Sequence, residues 1–312
     1  MGGKGNFQIS PSENELITVF EESNISLYIK REDLLHPEIS GNKFRKLKYN
    51  LLQAKSLKKK MLLTFGGAFS NHISAVAAAG QLYDLKTVGI IRGEELGEDL
   101  RKTLDENPTL KFCTSRGMTI KFISREMYRR KNTPQFQLEL KEEFGDFYLL
   151  PEGGTNSLAI KGCEEILTSE DKKFDYLCCP VGTGGTIAGI INSSEEFQKV
   201  IGFSALKGDF LNSEISQLTT GKNWELQNNY HFGGYGKISA ELISFLNDFQ
   251  QKSKITLDPV YTGKMFFGIF DMVKRSAFPQ NSSILAIHTG GLQGIAGMNL
   301  LLSKKNLPLI NV

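Results

Sequence analysis

Lys43 stands where a lysine is electrostatically awkward. It lies in Ser40-Gly41-Asn42-Lys43-Phe44-Arg45-Lys46-Leu47, and Phe44, Leu47, Leu51 and Leu52 recur at helical spacing after it. The pattern predicts a helix with Asn42 as its cap and Lys43 in its first turn. A cation there opposes the helix macrodipole. The position suits an amine that becomes neutral, as an imine-forming lysine must. Taken alone, Lys43 reads more simply as one of several solvated lysines on a basic helix.

Two glycine loops offer further chemistry. In Pro180-Val181-Gly182-Thr183-Gly184-Gly185-Thr186 the backbone can approach a ligand closely. Its amides, two hydroxyls and the next helix N-terminus converge on one point, which makes a phosphate cradle. A tight turn without a ligand is the alternative. The loop is neither a Walker A motif nor a dinucleotide fingerprint, because Ile187 occupies the third glycine position. The other loop is Phe65-Gly66-Gly67-Ala68-Phe69-Ser70-Asn71-His72. A Ser70–His72 hydrolase pair is excluded: the G-x-S-x-G elbow is missing, and residues two apart do not face each other on a helix. Asn71 could cap a helix, and His72 could be a satisfied core histidine.

The elements that must position these residues alternate between short strand-like and longer helical runs. Strands are predicted at Ser26–Lys30, Met61–Phe65, Thr87–Ile91, Thr119–Ile123, Asp146–Leu150, Tyr176–Val181, Val200–Phe203 and Ile284–His288. Phe266, Ile269, Phe270 and Val273 repeat the helical spacing. This rhythm means an α/β fold with mostly parallel sheets. Both glycine loops then fall after strands and before helices, where ligands bind such sheets. The charged stretch Ser124–Gln137 reads as an irregular surface excursion.

The 312 residues suggest two domains or one large one. With 40% hydrophobic and 23% charged residues, disorder is excluded. A net charge of +3 is too small to argue for nucleic acid or a membrane surface. The basic run Lys55–Lys60 reads as a solvated helix end. Cys113, Cys163, Cys178 and Cys179 form no C-x-x-C pair, so neither zinc nor a disulfide framework is expected. No apolar run reaches the ~20 residues of a membrane span. Met1–Asn6 has no signal core, and Asn6 breaks a myristoylation motif. A cytoplasmic protein is expected.

The motifs become specific together. Gly-Asn-Lys43-Phe-Arg-Lys-Leu, the Gly66–His72 loop, Pro151-Glu-Gly-Gly-Thr-Asn156, the Gly182–Thr186 loop, Phe232-Gly-Gly-Tyr235-Gly-Lys, Asp258-Pro-Val-Tyr261-Thr-Gly-Lys and His288-Thr289-Gly-Gly follow one another in order. From about Leu27 to Gly291 the chain resembles the 1-aminocyclopropane-1-carboxylate (ACC) deaminase / D-cysteine desulfhydrase group of fold-type II enzymes that use pyridoxal 5'-phosphate. The resemblance implies two parallel-sheet α/β domains with the cofactor in the cleft between them. Residues 1–44 and 151–312 would form the larger domain and 45–150 a smaller inserted one. It also implies a homodimer acting on a small amino acid. Lys43 would carry the cofactor as a Schiff base, and Asn71 would bond its ring 3'-oxygen. Gly182, Thr183, Gly184, Gly185 and Thr186 would hold its phosphate, and Thr289 would line the cofactor site. Ser70 would meet the substrate carboxylate or act near the reacting carbon. Tyr235 and Tyr261 would reach into the pocket to move or orient a proton.

Two positions bear on the reaction. ACC deaminases of the group carry Glu after the motif tyrosine and Leu in His-Leu-Gly-Gly, where this chain has Thr262 and Thr289. A carboxylate near the ring nitrogen would favour a protonated pyridinium, and a neutral hydroxyl supports it less. Elimination of a thiolate needs a weaker electron sink than opening a cyclopropane. D-Cysteine desulfhydrase chemistry is therefore the expectation, with ACC deaminase as the alternative. A non-catalytic cofactor-binding protein is disfavoured by the intact Lys43, Ser70 and tyrosines. The chain departs from the group at Phe69, where members carry Gln, and after Gly291, where Leu-Gln-Gly-Ile replaces Pro-Ala-Leu. The lost amide at 69 would remove a polar contact near substrate or cofactor.

Overall fold

The computed structural model describes residues 12–312; the expectations for Met1–Asn6 lie outside the described residues. The strands are β1 (Asn14–Phe20), β2 (Ile25–Lys30), β3 (Met61–Gly66), β4 (Lys86–Arg92), β5 (Met118–Ile123), β6 (Tyr148–Leu150), β7 (Tyr176–Val181), β8 (Lys199–Ser204), β9 (Trp224–Gln227) and β10 (Ser283–Ile287). The helices are α1 (Asn42–Ser56), α2 (Asn71–Tyr83), α3 (Leu100–Glu106), α4 (Pro108–Ser115), α5 (Arg125–Arg129), α6 (Pro134–Phe144), α7 (Ser157–Cys163), α8 (Gly185–Ser193), α9 (Phe210–Ser216), α10 (Ala240–Ser253), α11 (Thr262–Lys274) and α12 (Gly294–Lys304).

The strands form two sheets, a larger one in the order β1-β2-β10-β7-β8-β9 and a smaller one in the order β5-β4-β3-β6. Every pairing is parallel except β1 with β2. Parallel strands covered on both faces read as continuous apolar runs. Leu62, Leu63, Phe65, Val88, Ile90 and Ile91 in β3 and β4 are accordingly buried. β1 is an antiparallel edge strand with Leu16 and Val19 exposed. Its weaker apolar pattern, and the half-buried four-residue β9, explain why neither was foreseen. The four strands of the smaller sheet all fall between Met61 and Leu150.

The stretch Ser124–Gln137 is corrected by the structure. It holds α5 and the start of α6, whose caps are Ser124 and Thr133. The charges masked a helical spacing: Tyr128, Phe136 and Leu140 are buried against β3 and β4 residues such as Leu63, Phe65 and Ile90. The basic run behaves as expected, with α1 ending at Ser56 and Lys55, Lys58 and Lys60 exposed. The four cysteines are buried thiols. Among the described residues no helix is long and apolar enough to cross a membrane.

Candidate active site

Three strand ends feed one cavity. β3 leads into α2, β7 leads through the second glycine loop into α8, and β10 leads into His288–Gly291. The cavity wall carries Lys43, Ser70, Asn71, Tyr235, Tyr261 and Thr289, together with Gly182, Thr183, Gly184 and Thr186 of the loop. Gly185 stands behind the wall, packed so that an added Cβ would lie 2.8 Å from Thr155.

α1 does not start on an Asn42 cap. Its N-cap is Gly41, at φ +60°, and a Cβ there would lie 2.1 Å from the Thr289 carbonyl oxygen. Only glycine lets these two backbones cross. Asn42 is instead the first helical residue, and its side-chain amide donates to Thr186 Oγ1 at 2.8 Å. That bond ties α1 to the glycine loop. Lys43 Nζ donates to Asn42 Oδ1 at 3.0 Å. Burial, followed by the nearby Lys46 charge, lowers the Lys43 amine to about 7. A large neutral fraction therefore exists near pH 7.

Lys46 was missed by the sequence reading, although its spacing from Lys43 places both on one helix face. It is 2% exposed. Its ammonium donates to the Gly153 carbonyl at 3.1 Å, Thr155 Oγ1 at 2.9 Å and Thr183 Oγ1 at 3.4 Å. Thr183 belongs to the glycine loop, whose Gly184 caps α8 at φ +76°. A cation, two threonine hydroxyls and a helix N-terminus thus converge, the donor set that a phosphate requires.

On α2, Ser70 is the N-cap and its Oγ accepts from the Ile73 N–H at 3.4 Å. Asn71 is the first helical residue. Its Oδ1 accepts from Gln293 Nε2, and Gln293 Oε1 accepts from Thr109 Oγ1 at 3.0 Å. The Asn71 NH2 group is left as the donor. Gln293 belongs to the altered segment after Gly291, so that segment returns an amide to the site. Phe69 is not on the cavity wall; it packs on α12, with its ring 2.7 Å from a Cβ built at Gly297. His72 is buried with Nε2 2.8 Å from Thr64 Oγ1. Burial, then the charges of Lys43 and Lys46, keep its ring neutral.

Tyr261 is the N-cap residue of α11, and its ring lies 6.1 Å from that of Tyr235 at 66°. Burial raises both phenols above the ordinary tyrosine value. Both are proton donors near neutrality. Thr262 is not on the cavity wall. It is fully buried, and its hydroxyl donates to Asp258 Oδ2 at 2.7 Å. The Asp258 carboxylate also accepts the N–H groups of Val260, Tyr261 and Thr262. His288 Nδ1 accepts from Gly290 N–H, and its Nε2 meets the Thr256 carbonyl at 2.8 Å, so it braces the turn carrying Thr289.

A family model described as pyridoxal-phosphate dependent enzyme matches residues 14–290. A putative ACC deaminase of Thermotoga maritima is 32% identical, over 88% of this chain and 91% of its own length. A bifunctional D-cysteine desulfhydrase/ACC deaminase of Arabidopsis thaliana, described as mitochondrial, is 33% identical over 86% of this chain and 73% of its own. The crystal structure of an ACC deaminase homologue superposes with a TM-score of 0.79 at 28% identity, covering 94% of this chain and 93% of that one. The family model spans most of the chain, and the chain belongs to the pyridoxal-phosphate dependent enzymes, in the group that holds the ACC deaminases and D-cysteine desulfhydrases.

Proposed function

We propose that this enzyme eliminates sulfide from D-cysteine and that water hydrolyses the released product, giving pyruvate, ammonia and hydrogen sulfide. The observation that carries this reading is the state of Asp258, whose charge acts on Lys43. Asp258 is 1% exposed and engaged by three backbone N–H groups and the Thr262 hydroxyl. Thr289 presents a neutral hydroxyl at the wall. A cavity wall with no carboxylate among the described residues favours a reaction with an easy leaving group over opening a strained ring. Pyridoxal phosphate, when bound, supplies the electron sink.

The chain's own residues would do the rest. Lys43 attaches the cofactor and then, as an amine near neutrality, takes the α-proton. Lys46, Thr183, Thr186 and the Gly182–Gly185 backbone hold the phosphate. The Asn71 NH2 group bonds the ring oxygen. Ser70 stands at the α2 N-terminus, where the free amides receive the substrate carboxylate. Tyr235 and Tyr261 keep their protons and deliver one to the departing sulfur. Assembly as a homodimer belongs to the same proposal.

The test is product analysis with D-cysteine, L-cysteine, D-serine and ACC supplied separately. Pyruvate from D-cysteine is expected. 2-Oxobutyrate from ACC without pyruvate from D-cysteine would transfer the assignment to ACC deaminase. A holoenzyme that makes no keto acid from any of them would make it a binding protein.

A further inference from the structure

Lys264 has no part in the roles above, yet its placement is unusual. It lies three residues after Tyr261 in the first turn of α11 and is 1% exposed. A cation there opposes the helix dipole, and burial lowers its amine to about 8. Its acceptors are carbonyls rather than a carboxylate: Nζ donates to His231 O and to Gly234 O, each at 2.9 Å.

Those two carbonyls belong to a loop that the backbone alone would not hold. Phe232, Gly233, Gly234 and Gly236 have φ of +51°, +91°, +116° and +66°, a run of left-handed conformations with little intrinsic preference for one shape. Its own bonds are few: Gly234 N–H to His231 O, Lys237 N–H to Gly234 O and Gly233 N–H to His231 Nδ1. Tyr235 sits between two of the glycines, 49% exposed, with its ring against Tyr261. Lys264 grips the carbonyl next to Tyr235 and a second one three residues earlier. It does so from the helix whose N-cap residue is Tyr261. One helix therefore fixes both phenols.

We propose that Lys264 is a positioning residue that clamps the His231–Gly234 backbone and so sets Tyr235 against Tyr261 for proton delivery, touching neither substrate nor cofactor. The inference rests on the role given to Tyr235 above.

The test uses the holoenzyme with Lys264→Met, Lys264→Gln, Tyr235→Phe and the Lys264→Met/Tyr235→Phe double variant. Amide hydrogen exchange over residues 231–237 should accelerate in Lys264→Met, while the cofactor content and absorbance stay as in the parent. Turnover with D-cysteine should fall about 10²-fold in kcat, the scale of a displaced general acid, with KM little changed. In the double variant the loss should be no greater than in Tyr235→Phe alone. Lys264→Gln keeps a donor and should lose less. If Lys264→Met gives no folded holoenzyme, Lys264→Gln carries the same comparison. Unchanged exchange, or losses that multiply in the double variant, would overturn the clamp. A Tyr235→Phe enzyme with full kcat would remove it along with the tyrosine's role. The desulfhydrase reading itself stands or falls on the parent enzyme's products.

Discussion

Buried and part-buried cations fall into two regions with opposite chemistry. Away from the cleft they are matched by carboxylates. Lys30 and Asp171 pair at 2.8 Å with both side chains 1% exposed, and Arg45 binds Glu32 through two nitrogens at 2.9 and 2.8 Å. In and beside the cleft Lys43, Lys46 and Lys264 donate only to amide, carbonyl and hydroxyl oxygens. α1 carries both kinds within four residues. Hydrogen bonding to Glu32 leaves the Arg45 guanidinium above its ordinary value despite burial, whereas burial pulls the Lys43 amine down to about 7. A paired buried charge is scaffold. An amine without a paired carboxylate, as at Lys43, is poised to be neutral.

Lys43→Ala should break the cleft side of the contrast most severely. Keto-acid formation should fall by at least about 10³-fold, with no loss in the melting temperature of the cofactor-free protein. A parallel loss of stability would place Lys43 with the scaffold. Asp171→Asn probes the other side. It leaves Lys30 buried without its partner, so urea unfolding should show a loss of about 3–5 kcal/mol, while the cofactor absorbance persists. Lys46→Met removes a charge-assisted phosphate contact. Equilibrium dialysis should then show cofactor binding weakened about 10–100-fold, and unaltered retention would put the phosphate elsewhere.

The mildest effect is in pH. Burial sets the folded Lys43 amine at about 7, below the ordinary lysine value of 10.5. Between these values the unfolded chain holds the extra proton, so this residue makes the cofactor-free protein more stable as pH rises across the window. Stopped-flow capture of pyridoxal phosphate should accelerate as pH rises through about 7. A flat profile would mean that the amine is not the titrating group.

The sequence made the strand–helix alternation and the two glycine loops legible because each is local. β3, β4, β7 and β8 are continuous apolar runs, and glycine after a strand has few other uses. What stayed hidden depended on tertiary contact. The Gly41 cap exists because Thr289 crosses it from across the fold. Lys46 was one lysine among many until Thr155 and Thr183 surrounded it. Gln293 reaches Asn71 over a sequence separation of 222 residues, and Phe69, adjacent to Ser70, turns out of the cavity onto α12. The Thr262 hydroxyl is held by Asp258, four residues earlier, a bond that the motif alone does not reveal.

The most direct measurement is borohydride reduction of the purified holoenzyme, followed by digestion and mass spectrometry. The phosphopyridoxyl mass should appear on the peptide carrying Lys43 and vanish in Lys43→Ala. The same mass on Lys46, Lys264 or any other lysine of the parent enzyme would contradict the account.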